Sequence, residues 1–414
     1  MSITQTAAVP AALPSRWAQL GLGLVAMMAI SSPQYVWTLF VKPFQTATGG
    51  ALPAIQITFS LLIVLQTFLS PFQGWLIERF GARFLITIGC ILSGFGWIAA
   101  ASVGSVTSLW LTYGLFCGVG TGIVYIGIVG LMLKWFPDHR GFATGVVAAG
   151  YGFGAILTTF PIDSMMKASG YQATLITFGF VLGGVGALAG LFMRQPPDAV
   201  EPAASVSVAA GVSPGMMLRT PVFWLLFVMM TMMSTGGLMV ISQFAPFTRS
   251  FGIADVTIFG MAALPFALTL DRITNGLTRP FFGFVSDRIG RENTMLIAFS
   301  LEAVAVLLML GVRDNALLFA LMSGVVFFGW GEIFSLFPST LTDTFGAKDA
   351  TTKYGFLYMA QGIGSVLGGP VAAALHDATG TWVPVFITIV AMDALTAALA
   401  IFVLKPMRAA YLGR

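Results

Sequence analysis

Long apolar stretches alternate with short polar turns along almost the whole chain. Runs of spanning length lie near residues 17–41, 52–75, 84–103, 107–133, 141–162, 171–193, 221–247, 256–284, 293–312, 315–341, 354–375 and 381–404. About 20 apolar residues in a helix cross a hydrocarbon core of about 30 Å, so the pattern predicts twelve membrane helices, numbered here as spans 1 to 12. The first run is too long for a signal-peptide core and has no Ala-x-Ala-like cleavage signal before the next polar turn, so it is expected to stay as span 1. Residues 195–220, beginning Q-P-P-D-A-V-E-P-A-A-S-V-S-V, break the pattern with the composition of a solvated linker. The expected organisation is a tail at 1–16, a six-helix half at 17–194, the linker, a second half at 221–404 and a tail at 405–414.

The apolar pattern is most informative where it fails. Arg272 and Arg279 both fall inside the eighth run. A charged side chain at mid-depth costs about 2.5–3.5 kcal/mol on insertion scales, so an intramembrane arginine points to a functional site with a partner. Seven residues is close to two helical turns, and Asn275 falls on the same stripe as both arginines. A guanidinium carries five fixed donors matched to a carboxylate, which makes the stripe a candidate anion site; the alternative is a structural pairing with Asp271 and helix ends.

Composition agrees with the pattern. The chain is 57% hydrophobic and 9% charged, against about 25% charged in soluble domains. If the N-terminus is inside, fourteen of the 20 basic residues fall on that side, four on the other and two within the membrane. The positive-inside rule then places both termini in the cytoplasm, and the net charge of +4 reports topology rather than nucleic-acid binding. Cys90 and Cys117 lie mid-run and His139 and His376 at run ends, so neither a disulfide frame nor a metal cluster is expected. A membrane enzyme would need a nucleophile, metal ligands or a carboxylate dyad, and no such cluster or phosphate loop stands out; a sensor would bind ligand without moving it, and no signalling segment is visible.

The chain also repeats. G-W-L-I-E-R-F-G-A-R at 74–83 returns as G-F-V-S-D-R-I-G-R at 283–291, 209 residues later, and K-W-F-P-D-H-R-G at 134–141 has a counterpart in S-L-F-P-S at 335–339. Two parallel six-helix halves follow, an architecture that places a substrate site at mid-depth between them. The loop motif in both halves, the twelve runs and the central linker resemble the major facilitator superfamily over essentially the whole chain. N-G-L-T-R-P-F-F-G-F-V-S-D-R-I-G-R at 275–291, P-Q-Y-V-W-T-L at 33–39, G-I-V-Y at 122–125, A-A-G-Y-G at 148–152 and W-G-E-I-F-S-L-F-P-S-T at 330–340 are similar to the bacterial oxalate:formate antiporter branch, related to the monocarboxylate transporters.

The resemblance implies that Arg279 anchors a carboxylate and that Gln34, Tyr35, Tyr125, Tyr151 and Trp330 line its cavity; simple helix packing is the competing role for each aromatic. It also marks departures. Gln361 stands where the family pattern has a lysine, Tyr358 where it has tryptophan and Phe334 where it has tyrosine. Either Arg272, about 10 Å along the helix from Arg279, supplies the second charge, or Asp271 neutralises Arg272 and Arg279 alone binds a monocarboxylate. Asp271 and Glu332 are candidate proton carriers for a symporter, or static partners; Glu302 and Asp393 fall on spans expected to be peripheral. Glu78, Arg79, Asp287 and Arg288 in the repeated loops are read, partly through the family, as latches made in one conformation and broken in another. Pro33 and Pro338 are expected to kink or end spans 1 and 10.

The expectation is an all-α transporter of small carboxylates, a monomer in a bacterial inner membrane, with no cofactor. Oxalate:formate exchange leads, and proton-coupled uptake of a monocarboxylate such as lactate or formate is the alternative.

Overall fold

The computed structural model describes residues 15–197 and 211–413. The first fourteen residues, half of the linker (198–210) and Arg414 lie outside them, so the N-terminal tail is not placed.

The apolar runs become helices. Eight are long and apolar enough to cross a membrane, and two bent pairs, Arg16–Tyr35 with Trp37–Thr48 and Leu52–Phe68 with Ser70–Phe80, count as one span each. Arg140–Phe192, already among the eight, supplies one more by turning at Gly170, whose φ of 81° requires a residue without a Cβ. The twelfth, Ala263–Ile289, carries too many charges to satisfy a hydropathy criterion, and it is the helix with both intramembrane arginines. The twelve spans of the pattern are therefore all present in the two-halved arrangement. Their limits differ from those expected. Span 1 runs on to Thr48, span 12 continues as helix through Lys405–Tyr411, and span 8 starts at Ala263 because Thr257–Ile258 pairs with Met261–Ala262 in a short hairpin.

Backbone breaks sit at mid-depth, where each freed polar group needs a partner. Span 1 is interrupted at Ile30–Ser31 and bends by 48° at Val36, on either side of Pro33, and the Tyr113 hydroxyl donates to the Pro33 carbonyl at 2.7 Å. Span 10 breaks at Gly331–Glu332; Pro338 lies inside the helix that follows, Ile333–Phe345.

The halves meet along two seams, span 5 against span 8 and span 2 against span 11. Both are close backbone approaches. A Cβ on Gly145 would lie 2.2 Å from the Arg279 carbonyl oxygen, and one on Gly355 would lie 2.4 Å from that of Ser70. In the described end of the linker, the Val212 N–H donates to Phe345 O at 3.1 Å, which docks this end on span 10.

Candidate functional site

Where the seams converge, a cavity of about 400 Å³, its mouth included, is lined by Gln34, Tyr35, Ile63, Gln66, Thr67, Tyr125 and Tyr151 from the first half. Arg279, Phe334, Tyr358, Gln361 and Ser365 line it from the second. A cavity shared by both halves can be exposed to either side if they rock about it.

Arg279 is buried, and its geometry is set by three neighbours. Nη1 donates across the seam to the Ala148 carbonyl at 2.6 Å, Nη2 donates to Asn275 Oδ1 at 2.8 Å, and the guanidinium carbon stands 4.6 Å from the centroid of the Phe334 ring. Nε has no partner, and no carboxylate lies within ion-pair distance among the described residues. A fixed guanidinium with donors to spare has the chemistry to receive an anion.

The aromatic wall is ordered. Tyr125 stacks on Tyr358 with centroids 4.9 Å apart at 17°, and Tyr151 meets Tyr125 edge-on at 5.3 Å. Tyr151 donates to Gln34 Oε1 at 2.6 Å, and Gln66 Nε2 donates to the Tyr358 hydroxyl at 3.2 Å, joining span 2 to span 11. Such rings give a small ligand rigid walls with polar tips.

Several residues singled out in the sequence stand elsewhere. Trp330 is one layer behind the cavity, donating Nε1 to Met233 O at 2.8 Å and touching Phe334 edge-on. Asn275 acts through Arg279. Arg272 is exposed on the same face two turns away, outside the cavity, and makes no ion pair with Asp271. Asp271 turns toward span 10, where Ser323 Oγ donates to its Oδ1 at 2.8 Å. Glu332 is fully buried at the span 10 break, and Glu302 and Asp393 are fully buried within the second half; none of these acids borders the cavity. Gln66, Thr67, Ile63 and Ser365 were missed. Gln66 had a signal, a glutamine inside an apolar run.

Below the cavity, the end of the bundle where the described residues begin and finish, at Ser15 and Gly413, is latched. Asp287 accepts the N–H groups of Gly141 and Phe142 at 3.0 and 2.9 Å, at the start of the span 5 helix. Glu78 accepts Thr351 N–H at 3.1 Å at the start of span 11 and pairs with Lys134 at 2.5 Å. Each repeated motif thus seats a carboxylate on the positive end of a helix in the opposite half. Asp343 bridges Arg140 and Arg291, at 2.7 and 2.8 Å. Arg79 and Arg288 take no part: they lie over Trp75 and Phe284, at 5.3 and 4.0 Å from the ring centroids. Among the described residues, the hydrogen bonds between the halves all lie at the cavity or on this side of it.

Asp287→Asn keeps the size but loses the charge facing the helix end and Arg291. An N-terminal anion interaction of about 1–2 kcal/mol corresponds to roughly a 5–30-fold loss in occupancy of the latched state. Alkylation of Ser339→Cys, buried beneath the latch beside Thr144, in a variant lacking Cys90 and Cys117, should speed up accordingly; an unchanged rate would remove Asp287 from the latch.

Comparison with known proteins agrees with this architecture. The Major Facilitator Superfamily family model matches residues 20–273 and 266–411. The chain is 34% identical over 410 residues to the oxalate:formate antiporter of Oxalobacter formigenes, covering 98% of this chain and 96% of that protein. It is 23% identical to monocarboxylate transporter 13 of Bos taurus, over 81% of this chain and 77% of that one. The structure of a fucose:proton symporter of E. coli superposes with a TM-score of 0.69 at 16% identity, covering 93% of this chain and 98% of the other, which speaks to fold alone. Twelve spans in two latched halves around a shared cavity, with the family match across both halves, identify the chain as a member of the major facilitator superfamily, a multi-pass membrane transporter.

Proposed function

We propose that this transporter exchanges small carboxylates by alternating access, with Arg279 as the anion anchor. The observation that carries the reading is the buried, uncompensated guanidinium at the meeting point of the two halves. Oxalate and formate are the first pair to test, since the Oxalobacter relative is named for them. The bare arginine also favours exchange over net uptake. Rocking an empty cavity would carry an unpaired charge through a low-dielectric seam, whereas a bound anion compensates it.

The basic-residue bias supports cytoplasmic termini, in a bacterial inner membrane, so that the latched end faces inward. A proton-coupled symporter would instead use a titrating acid linked to the anion, and the candidates Asp271 and Glu332 stand behind the cavity wall. Arg272, exposed two turns away, is read as attracting anions toward the cavity rather than binding them in it. The purified protein in liposomes distinguishes exchange from symport. Radiolabelled formate or oxalate should enter only vesicles preloaded with a carboxylate; accumulation in empty vesicles under an inward proton gradient would overturn exchange in favour of symport.

A further inference from the structure

We infer that the cavity is built for monoanionic carboxylates that carry a hydroxyl group, exchanged one for one with no net movement of charge. This rests on the Arg279-anchored exchange proposed above and narrows its substrate.

The first argument is the charge count. Of the twelve residues that line the cavity, only Arg279 carries a formal charge. Span 11 contributes the uncharged Gln361, and Arg272 does not reach the cavity. A monocarboxylate therefore leaves the loaded site neutral. A dianion leaves one negative charge without a partner in a buried site, where an uncompensated charge is strongly disfavoured. A neutral loaded site also crosses the membrane field without electrical work, whichever direction it moves.

The second argument is the set of buried polar atoms left without partners. Arg279 Nε, the Tyr125 hydroxyl, Gln66 Oε1 and Gln361 Oε1 all belong to cavity-lining residues and none has a hydrogen bond within the protein. Arg279 Nε and the Tyr125 hydroxyl can donate to a carboxylate. The amides of Gln66 and Gln361, from spans 2 and 11, can donate to a second carboxylate but, being uncharged, cannot neutralise it. A hydroxyl both donates and accepts, so it satisfies an amide whichever way the amide is turned. Leaving buried amide groups unpaired would penalise a ligand without such a group. The chemistry that fits is thus a carboxylate at the guanidinium and a hydroxyl turned toward the Gln66 and Gln361 amides, beside the stacked Tyr125 and Tyr358 rings.

Counterflow in liposomes containing the full chain tests this with glycolate, lactate, acetate and oxalate, with and without an inside-negative potassium diffusion potential. Glycolate or lactate should compete at least tenfold better than both acetate and oxalate, and their exchange should change less than twofold when the potential is imposed. Oxalate competing best, acetate matching glycolate, or exchange that follows the potential would each overturn the inference while leaving Arg279-anchored exchange standing. Loss of every carboxylate flux would overturn both. Gln361→Lys should reverse the preference toward oxalate by at least tenfold. Gln361→Leu, which adds no charge, should lower glycolate toward acetate; a glycolate preference retained in that variant would remove Gln361 from hydroxyl recognition.

Discussion

Arg279→Ala should weaken anion binding by at least about a hundredfold and reduce exchange to background. A forked guanidinium–carboxylate contact contributes two charge-assisted hydrogen bonds of about 1.5–3 kcal/mol each, and each 1.4 kcal/mol is tenfold in affinity. Arg279 also donates across the seam to Ala148 O, so its loss could act through packing alone. Arg279→Lys separates the two effects. It keeps the charge but loses the fork, and binding should recover to within about ten- to thirtyfold of the original. Affinity measured calorimetrically on the purified protein decides the matter: binding retained within a few-fold in the alanine variant would sink the site assignment.

The second large effect is expected at a residue with no functional group. A Cβ on Gly145 would stand 2.2 Å from the carbonyl oxygen of Arg279, 2.6 Å from its carbonyl carbon and 2.8 Å from Pro280 N. All three atoms are backbone, so no side chain can swing aside, and Gly145→Ala must push spans 5 and 8 apart. Overpacking of this kind costs about 1–3 kcal/mol or more, enough to lower the occupancy of the latched state roughly 5–150-fold. Exchange should fall by at least about tenfold, because a cycle that cannot populate one end state cannot turn over. Ser339→Cys should react correspondingly faster with a thiol reagent. Gly283→Ala, whose Cβ would meet Gly141 O at 2.1 Å, should behave alike, and Gly184→Ala, with nothing within 4 Å of its Cβ, should not. Equal thiol reactivity in the Gly145 and Gly184 variants would show that the seam does not close as described.

Much of the fold was legible because a bilayer leaves a chain few options. Every backbone polar group at depth must be satisfied within a helix, so apolar length translates directly into spans. The same constraint made Arg279 conspicuous, since a charge that costs energy to insert must serve some purpose. The limits of this reading appear at span 8. Helical arithmetic put Arg272 and Arg279 on one face, and they are on one face, yet only Arg279 reaches the cavity. Face is set by the period of the helix, whereas depth depends on where neighbouring helices converge, and a hairpin at 257–262 moved the start of the span. Trp330 failed similarly. Its ring is adjacent to the cavity-lining Phe334, but its N–H is drawn to a carbonyl of span 7.

The latches show the same division. The repeated motifs located Glu78 and Asp287, but their neighbours Arg79 and Arg288 turn onto aromatic rings. The groups that complete the latch, Thr351 N–H, Gly141 N–H and Asp343, lie far from them along the chain, and of these only Gly141 belongs to a repeated segment.

By itself the amino-acid order determined the number of spans, the two-fold repeat and the presence of two arginines on one face of the eighth span, because burial cost and helical period are local properties of residues. Tertiary structure alone decided which polar atoms meet: that Arg279 is left without a counter-ion, that Arg272 stands apart, and that Gln66 faces the cavity with Gln361. Those facts depend on how helices distant in sequence cross, and crossing is set by the shapes of the packed surfaces rather than by the pattern along any one of them.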